Sequence, residues 1–531
     1  MRRRKFLKNG LAGLSMIGLP KFGLNAAIPN SVKTDYKALV CIYLDGGNDA
    51  WNTFVPASGS GASQWNVYNS GRGDLSVANV DVQTSTATLS NLSGSGSGTI
   101  STGSNNPYYN SNGDSASYLS GTYPLTSASI SEVKVNALMP ELAGLIVDGK
   151  ASLVGNIGTL VEPLNGKTDF LDSSKKKPSF LFAHNHQTRI IETGKADDLN
   201  TTGWAGRLAD LWSGINSESV MGLNVSFDGQ VRLMTGVNSK PILFNPDHSV
   251  SYWDMEKNSS NNVYSSRRDL FATLYGTNPG SDPFRSVYNK MLKGSLDLDE
   301  LLRTYWTDDQ KTTFSSNGSY GESLFAVPTT TQTGLQEDLN GDLIENLEAI
   351  AQLIYLGSSS SKMNFNRQIF FVKFGSFDTH GNQAEEHPIL LRELSVALWK
   401  FQKALEELGV HKKVATFTTS DFGRTIGNNG DGTDHAWSTI NLLMSDSTII
   451  KGGKFVGDLP DFTMGGDHDI RDKGKGRFVP KLAVEQMLAS VCDWFGVPET
   501  DMETLFPNLK NFKTGSSIKT AYSGLDLFSS S

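Results

Sequence analysis

Five of the chain's eight histidines, His184, His186, His380, His387 and His435, fall in or beside short polar segments that also carry aspartate. Three of the polar clusters directly follow apolar runs. Asp45-Gly46-Gly47-Asn48-Asp49 follows the first, Asp378-Thr379-His380-Gly381-Asn382-Gln383 the second, and Asp421-Phe422-Gly423-Arg424 the third. Gly432-Thr433-Asp434-His435 comes shortly after. Carboxylates and imidazoles gathered at one place bind divalent cations such as Zn²⁺ or Mn²⁺. A cation so held activates water or polarises an ester. The same residue types also have plain structural uses, because Asp and Asn after a strand cap helices and close Asx turns. Asp49 and Asn52 are expected in that capping role. Asp45 is either a ligand or a turn residue. Asp421 is either a ligand or the ion-pair partner of Arg424. Asp378 and His380, two apart in a glycine-containing loop, and His435, beside Asp434, are read as site residues. His184 and His186 either reach one ion together or belong to a hydrogen-bonded loop. Arg207, after Gly203-Trp204-Ala205-Gly206, either binds an anion or opens a helix with a salt bridge. His248, His411 and His468 lack such surroundings.

Strands must bring these clusters together. Ala38 to Leu44 is a continuous apolar run, and such strands are buried on both faces of α/β sheets. Further strands are expected at Ala151–Gly158, Gln368–Phe374 and Lys413–Thr419. Between the last two, Leu391, Leu394, Leu398, Phe401, Leu405 and Leu408 recur at three- and four-residue spacing. That spacing predicts an amphipathic helix from Pro388 to Leu408, closed by Gly409. The alternation argues for an α/β fold with a largely parallel sheet. In such a sheet the polar clusters share the edge formed by the carboxyl ends of the strands, where ligands bind. A helix opens near Leu138 to Leu142, 220–256 reads as short strands and turns, and 260–355 as mostly helical.

The chain has 531 residues, 38% of them hydrophobic, and a mean hydropathy of −0.29. That suffices for a large core. The N-terminus runs from a cationic cluster, Arg2-Arg3-Arg4-Lys5, through a weakly apolar stretch to Ala26-Ala27. This is the layout of a cleavable export signal over 1–27. Arg3-Arg4-Lys5-Phe6-Leu7-Lys8 fits the twin-arginine pattern. The expected route is the twin-arginine translocase, and the expected location periplasmic or secreted. Lys21, Pro20 and several glycines make the stretch a poor membrane anchor, and no later segment is apolar enough to span. Loss of 1–27 removes six cationic residues and moves the net charge from −8 to about −14. A chain of that sign has no electrostatic reason to bind nucleic acid. Cys41 and Cys492 lie in apolar segments and are read as buried thiols, with a single disulfide as the alternative. Residues 58–130 are rich in Ser, Gly, Asn and Thr, with islands of Tyr and Trp. They read as an insertion without chemistry, or with a glycan-contacting role.

In order, Leu44-Asp45-Gly46-Gly47-Asn48-Asp49, Gly155-Asn156-Ile157-Gly158, Leu181-Phe182-Ala183-His184-Asn185 and Thr202-Gly203-Trp204-Ala205-Gly206-Arg207 are followed by Phe377-Asp378-Thr379-His380-Gly381-Asn382-Gln383 and Asp421-Phe422-Gly423-Arg424-Thr425. Gly432-Thr433-Asp434-His435, Trp494-Phe495-Gly496-Val497 and Phe506-Pro507-Asn508-Leu509 complete the series. This series resembles the exported family known as domain of unknown function 1501. The resemblance implies membership of the alkaline-phosphatase-like superfamily and a three-layer α/β/α sandwich over 36–520, with metal ligands at strand ends. On that resemblance Asp45 is the early aspartate, and Asp378 and His380 belong to one ligand set. Asp421 belongs to the other, and His435 is the last histidine. His184 would assist protonation or bind substrate. Two positions depart from the pattern: Phe422 stands where a histidine is usual, and Ala183 where serine is frequent. No nucleophile is evident. The resulting expectation is an exported, metal-dependent hydrolase of phosphate or sulfate esters. The alternative is a non-catalytic protein on the same fold that binds glycans or assembles with an envelope partner.

Overall fold

A computed structural model describes residues 35–57, 62–81, 118–125, 128, 130–216, 221–246, 262–276, 283–470 and 475–529. The predicted export signal and much of the 58–130 insertion lie outside these residues. In chain order the strands are β1 (Lys37–Leu44), β2 (Phe54–Pro56), β3 (Thr122–Tyr123), β4 (Val133–Asn136), β5 (Ala151–Gly158), β6 (Asn224–Ser226), β7 (Ile242–Leu243), β8 (Arg367–Phe374), β9 (Val414–Ser420), β10 (Arg424–Asn428), β11 (Thr433–His435), β12 (Thr439–Met444), β13 (Phe455–Val456) and β14 (Leu482–Ala483). The fold is mixed α/β, with a large, mostly parallel sheet and helices.

The described residues fall into two compact units. One is drawn from Met1–Ala38, Thr202–Thr313 and Ala349–Val372, the other from Leu39–Thr201, Phe314–Glu348 and Lys373–Ser531. In the first, β6 pairs in parallel with both β7 and β8. Its helices Asn262–Gly276 and Pro283–Tyr305 are joined by a buried Arg268–Asp299 pair at 2.9 Å. In the second, the strand order is β13-β5-β12-β9-β1, with β14 also on β5.

β12 is antiparallel to both β5 and β9. Its start, Thr439, therefore pairs with Ile157 at the carboxyl end of β5. This reversal matters for the site. The chain leaves β9 at Ser420, makes the β10–β11 hairpin, and re-enters the sheet at the same edge, so Asp421 and His435 stay together. The strands are covered on both faces: from Ala38 to Leu44, and throughout β5 and β12, every residue is buried, the polar Ser152, Asn156, Thr439 and Asn441 among them.

The helix expected from Pro388 runs over Gln383–Glu407, with Pro388 inside it. It begins five residues earlier than the apolar spacing implied and accommodates a proline that costs it one internal hydrogen bond. The apolar stripe Leu391, Leu394, Leu398, Phe401 and Leu405 is buried as expected. Arg392 and Ser395 of this helix hold the buried Glu141 carboxylate of the helix Pro140–Val147. Cys41 and Cys492 are free and buried. Among the described residues, no helix is long and apolar enough to cross a membrane.

Candidate metal centre

The candidate residues all lie in the second unit, at the edge where β1, β9 and the β8 connection end and β12 begins. After β1 the chain turns through Asp45-Gly46-Gly47. Gly46 and Gly47 have φ of 110° and 80°, and both are closely approached. A Cβ on Gly46 would lie 2.5 Å from the Asp378 amide nitrogen, and one on Gly47 would lie 2.7 Å from the Phe422 ring. Side chains at either position would push the Asp378 and Asp421-Phe422 segments away.

Ligand atoms of His184, Asp378 and His435 lie within 4.8 Å of one another there, with His380 alongside. The Nε2 atoms of His184 and His435 are 2.9 Å apart, and those of His380 and His435 are 2.7 Å apart. Asp378 Oδ1 lies 3.3 Å from Nε2 of His184, 3.3 Å from Nε2 of His435 and 3.4 Å from Nε2 of His380. Tetrahedral ligands at zinc–nitrogen distances of about 2.0–2.1 Å stand about 3.3 Å apart; the Asp378 contacts with His184 and His435 match this, while the imidazole pairs are closer. The cluster is open to solvent, with the Asp378 and His380 side chains 49% and 42% exposed.

The outer nitrogens fix the tautomers. His435 Nδ1 is 2.7 Å from the Phe182 carbonyl oxygen, which only accepts, so Nδ1 carries the proton. His184 Nδ1 likewise donates to Asp421 Oδ2 at 2.7 Å. In neutral imidazoles the two facing Nε2 atoms are then bare lone pairs. Carboxylate or carbonyl partners behind each ring are the usual support of histidine ligands. The corresponding contact of His380 is looser, with Nδ1 3.6 Å from Asp434 Oδ1. Arg424, fully buried, donates from Nη2 to Asp378 Oδ1 at 2.6 Å, and from Nε and Nη1 to the Gly47 and Thr433 carbonyls. Burial pushes the Asp378 carboxyl up, but Arg424, with His184 and His435, outweighs it and holds the group at about 2. The hydrogen bond to Asp421 raises the His184 imidazole above its ordinary value, whereas burial lowers that of His435.

The six expected site residues divide into three groups. His184, Asp378, His380 and His435 meet at the cluster. Asp421 stands one step behind it: Oδ2 takes the His184 proton donor, while Oδ1 accepts from the Tyr43 hydroxyl at 2.8 Å and the Gly46 amide at 3.2 Å. Its oxygens are occupied in orienting His184, and its pairing with Arg424 gives way to the Arg424–Asp378 pair. Asp45 Oδ2 pairs with Lys373 Nζ at 2.9 Å. His184 opens the helix His184–Thr193. Successive turns of a helix set positions i and i+2 about 200° apart, so His186 does not accompany His184 and stacks on Phe180 instead. Phe422 packs against the rings of both His184 and His435, at 4.8 and 4.5 Å between centroids.

Tyr43 and Phe182 were not singled out from the sequence. Tyr43 is the one hydroxyl in β1, a usable signal; Phe182 acts through its backbone carbonyl, which leaves no signal in residue type. Asp49 caps the helix Ala50–Thr53 as expected and is also clamped by the buried Arg72, with Nη2 2.7 Å from Oδ1. Gln383 Nε2 donates to Asp49 Oδ2 at 2.6 Å. Tyr118 and Asn48 hold the two ring nitrogens of buried His387 at 2.8 and 3.0 Å. Burial pushes that imidazole down to about 4. Arg72 and Tyr118 come from the segment read as an insertion, and they brace the loop behind the cluster.

The comparison with curated proteins returns no match. Residues 363–472, which carry Asp378, His380, Asp421 and His435, match the family model described as a protein of unknown function, DUF1501.

Proposed function

We propose that the protein is a metal-dependent hydrolase of phosphate or sulfate esters, with His184, Asp378 and His435 as ligands of one divalent cation, zinc or manganese, and His380 beside them. The observation that carries this is that ligand atoms of His184, Asp378 and His435 all lie within 4.8 Å of one another, with His380 Nε2 2.7 Å from that of His435. The inward lone pairs of His184 and His435 repel at that spacing unless a proton or a metal cation lies between them. A divalent cation there supplies Lewis-acid activation of water and of an ester oxygen. The chain's own residues prepare the site. Asp421 and the Phe182 carbonyl hold two rings in the tautomer that points Nε2 inward, and Arg424 keeps Asp378 ionised. Neutral imidazoles and one carboxylate cancel a single unit of a dication's charge, so the assembled centre suits an anionic ester. Its exposure leaves room for a substrate to reach it, as in catalytic rather than closed structural sites.

Elemental analysis of the purified protein is the direct test. About one equivalent of metal per chain is expected, lost in His435→Ala and Asp378→Ala, together with cleavage of 4-nitrophenyl phosphate or sulfate. No retained metal, and no gain of activity on reconstitution, overturns the reading. The alkaline-phosphatase-like sandwich and export by the twin-arginine translocase are part of the proposal. The second is checked by whether Arg3→Lys with Arg4→Lys retains the protein in the cytoplasm. Ala183, which leaves no hydroxyl beside His184, favours a non-catalytic envelope protein as the second reading. That reading requires a folded Asp378→Ala variant to keep its function in cells.

A further inference from the structure

Asp378 and His380 lie on one segment and His435 on another, so the separation of the two segments sets the separation of these side chains. The backbones touch directly. The Thr433 amide of β11 donates at 3.1 Å to the carbonyl of Thr379, the residue between Asp378 and His380. Behind that contact stands Gln383, the first residue of the helix Gln383–Glu407, with no exposed surface. Its side-chain amide spans two segments. Oε1 accepts from the Thr433 hydroxyl at 2.8 Å, and Nε2 donates to Asp49 Oδ2 at 2.6 Å, in the turn that follows β1. The Asp49 carboxylate, paired with Arg72, only accepts, so the amide keeps its nitrogen towards that turn and its oxygen towards β11. The Gln383 backbone amide donates to the Asp431 carbonyl at 3.1 Å, which ties the helix start to the β10–β11 loop as well. One helical turn on, His387 Nε2 meets Asn48 Oδ1 at 3.0 Å. The turn so held reaches the cluster through its backbone: the Gly46 amide donates to Asp421, and the Gly46 and Gly47 carbonyls accept from Arg424. Arg424 makes the same span from the cluster side, since its Nη1 also donates to the Thr433 carbonyl.

We infer that Gln383 is a positioning residue of the metal centre: its amide fixes β11 against the turn after β1, and thereby sets His435 against Asp378 and against the Asp421–His184 pair. This rests on the metal reading above and adds to it a residue that touches neither the ion nor the substrate. A buried amide bonded at both ends has one placement. An apolar side chain of the same length would fill the space and leave β11 held from one side only, by Arg424. Metal ligands must be held within about 0.5 Å of their working geometry, so a small drift of β11 is enough to weaken the site.

Gln383→Met keeps the length of the side chain and removes the amide. Zinc affinity of the purified protein, measured by competition with a chelating dye, should fall about tenfold. The visible absorption of the Co²⁺-loaded protein, which reports ligand geometry, should change in position and intensity. Thr433→Val breaks only the bond to Gln383 Oε1 and should give a smaller loss in the same direction. The double variant should lose no more than Gln383→Met alone, which has already broken that bond. A glutamine that serves stability alone would lower Tm on substitution, yet the folded variant would keep the wild-type zinc Kd and cobalt spectrum. That result, read well below the Tm of each variant, overturns the assignment. Should Gln383→Met fail to fold, Thr433→Val carries the same comparison. Wild-type protein that binds neither zinc nor cobalt overturns the metal reading and the assignment with it. Wild-type protein that binds both, with variants that match it, overturns the assignment alone.

Discussion

At the scale of single residues, the centre depends on which nitrogen of each imidazole holds its proton. Asp421 has no exposed side-chain surface, and it receives Tyr43, Gly46 and His184 at once. Three donors on one buried carboxylate fix the His184 ring plane. Asp421→Asn presents an amide, which can no longer accept on both sides. Metal affinity should fall about 10- to 100-fold, as for other partners standing behind histidine ligands. Tyr43→Phe removes one of the three donors and should give a smaller loss in the same direction. Competition against a chelating dye measures both. Unchanged affinity in Asp421→Asn would mean that the carboxylate does not govern His184. Sequence alone singled out Asp45 and Asp421 alongside the cluster residues, but it could not assign distances. Whether a carboxylate meets an imidazole, as Asp421 meets His184 across 237 positions, or a lysine, as Asp45 meets Lys373, depends on sheet register set far along the chain.

Among the elements, β5 spans the same residues as the run read from the sequence, Ala151–Gly158; β1 and β8 begin one residue earlier than theirs, and β9 is shifted one residue later at both ends. Continuous apolar runs bounded by glycine and polar residues carry that signal. The β10–β11 hairpin carries no such pattern, since Arg424, Thr425, Asn428 and Asp434 read as loop. Nor does composition reveal that Tyr68, Arg72 and Tyr118 leave a Ser/Gly-rich stretch to enter the core. Tyr68 donates to Asn52 Oδ1 at 2.7 Å, and Asn52 in turn donates to the Tyr118 hydroxyl at 2.8 Å. The Arg72–Asp49 pair is the centre of this bracing, and both side chains are fully buried. Breaking a buried pair strands one charge. Arg72→Met should therefore cost about 3–5 kcal/mol, and adding Asp49→Asn should recover part of the loss. Urea denaturation of the single and double variants measures the coupling. A loss below about 1 kcal/mol for Arg72→Met would place the bracing elsewhere.

For the whole molecule, the acidic balance of −8 sets solubility and repulsion but gives no pH profile, which depends on buried groups whose protonation changes on unfolding. Glu485 is the clearest such group. It sits in the first turn of the helix Val484–Phe495, 2% exposed, and among the described residues neither carboxyl oxygen has a hydrogen-bond partner. Burial, with the Asp197 charge adding to it, raises the carboxyl from 4.5 to about 8. The native protein therefore keeps a proton that the unfolded chain releases near pH 4.5. Between pH 4.5 and about 8 the native state binds more protons, so stability falls as pH rises through that window; below it the contribution is fully present. The loss from pH 5 to 8 should be on the order of 2–4 kcal/mol. His387 has the opposite sign, because its folded value of about 4 lies below the ordinary 6.5, so its contribution is lost as pH falls from about 6.5 to 4. Glu485→Gln removes the first limb and leaves the second. Guanidinium denaturation from pH 4 to 9 should give a stability curve for Glu485→Gln that no longer declines from pH 5 to 8 as the wild-type curve does. The slope is the informative quantity, because the buried amide of glutamine has its own desolvation cost at every pH. Parallel wild-type and variant curves across that window would mean that Glu485 is not held protonated in the native protein.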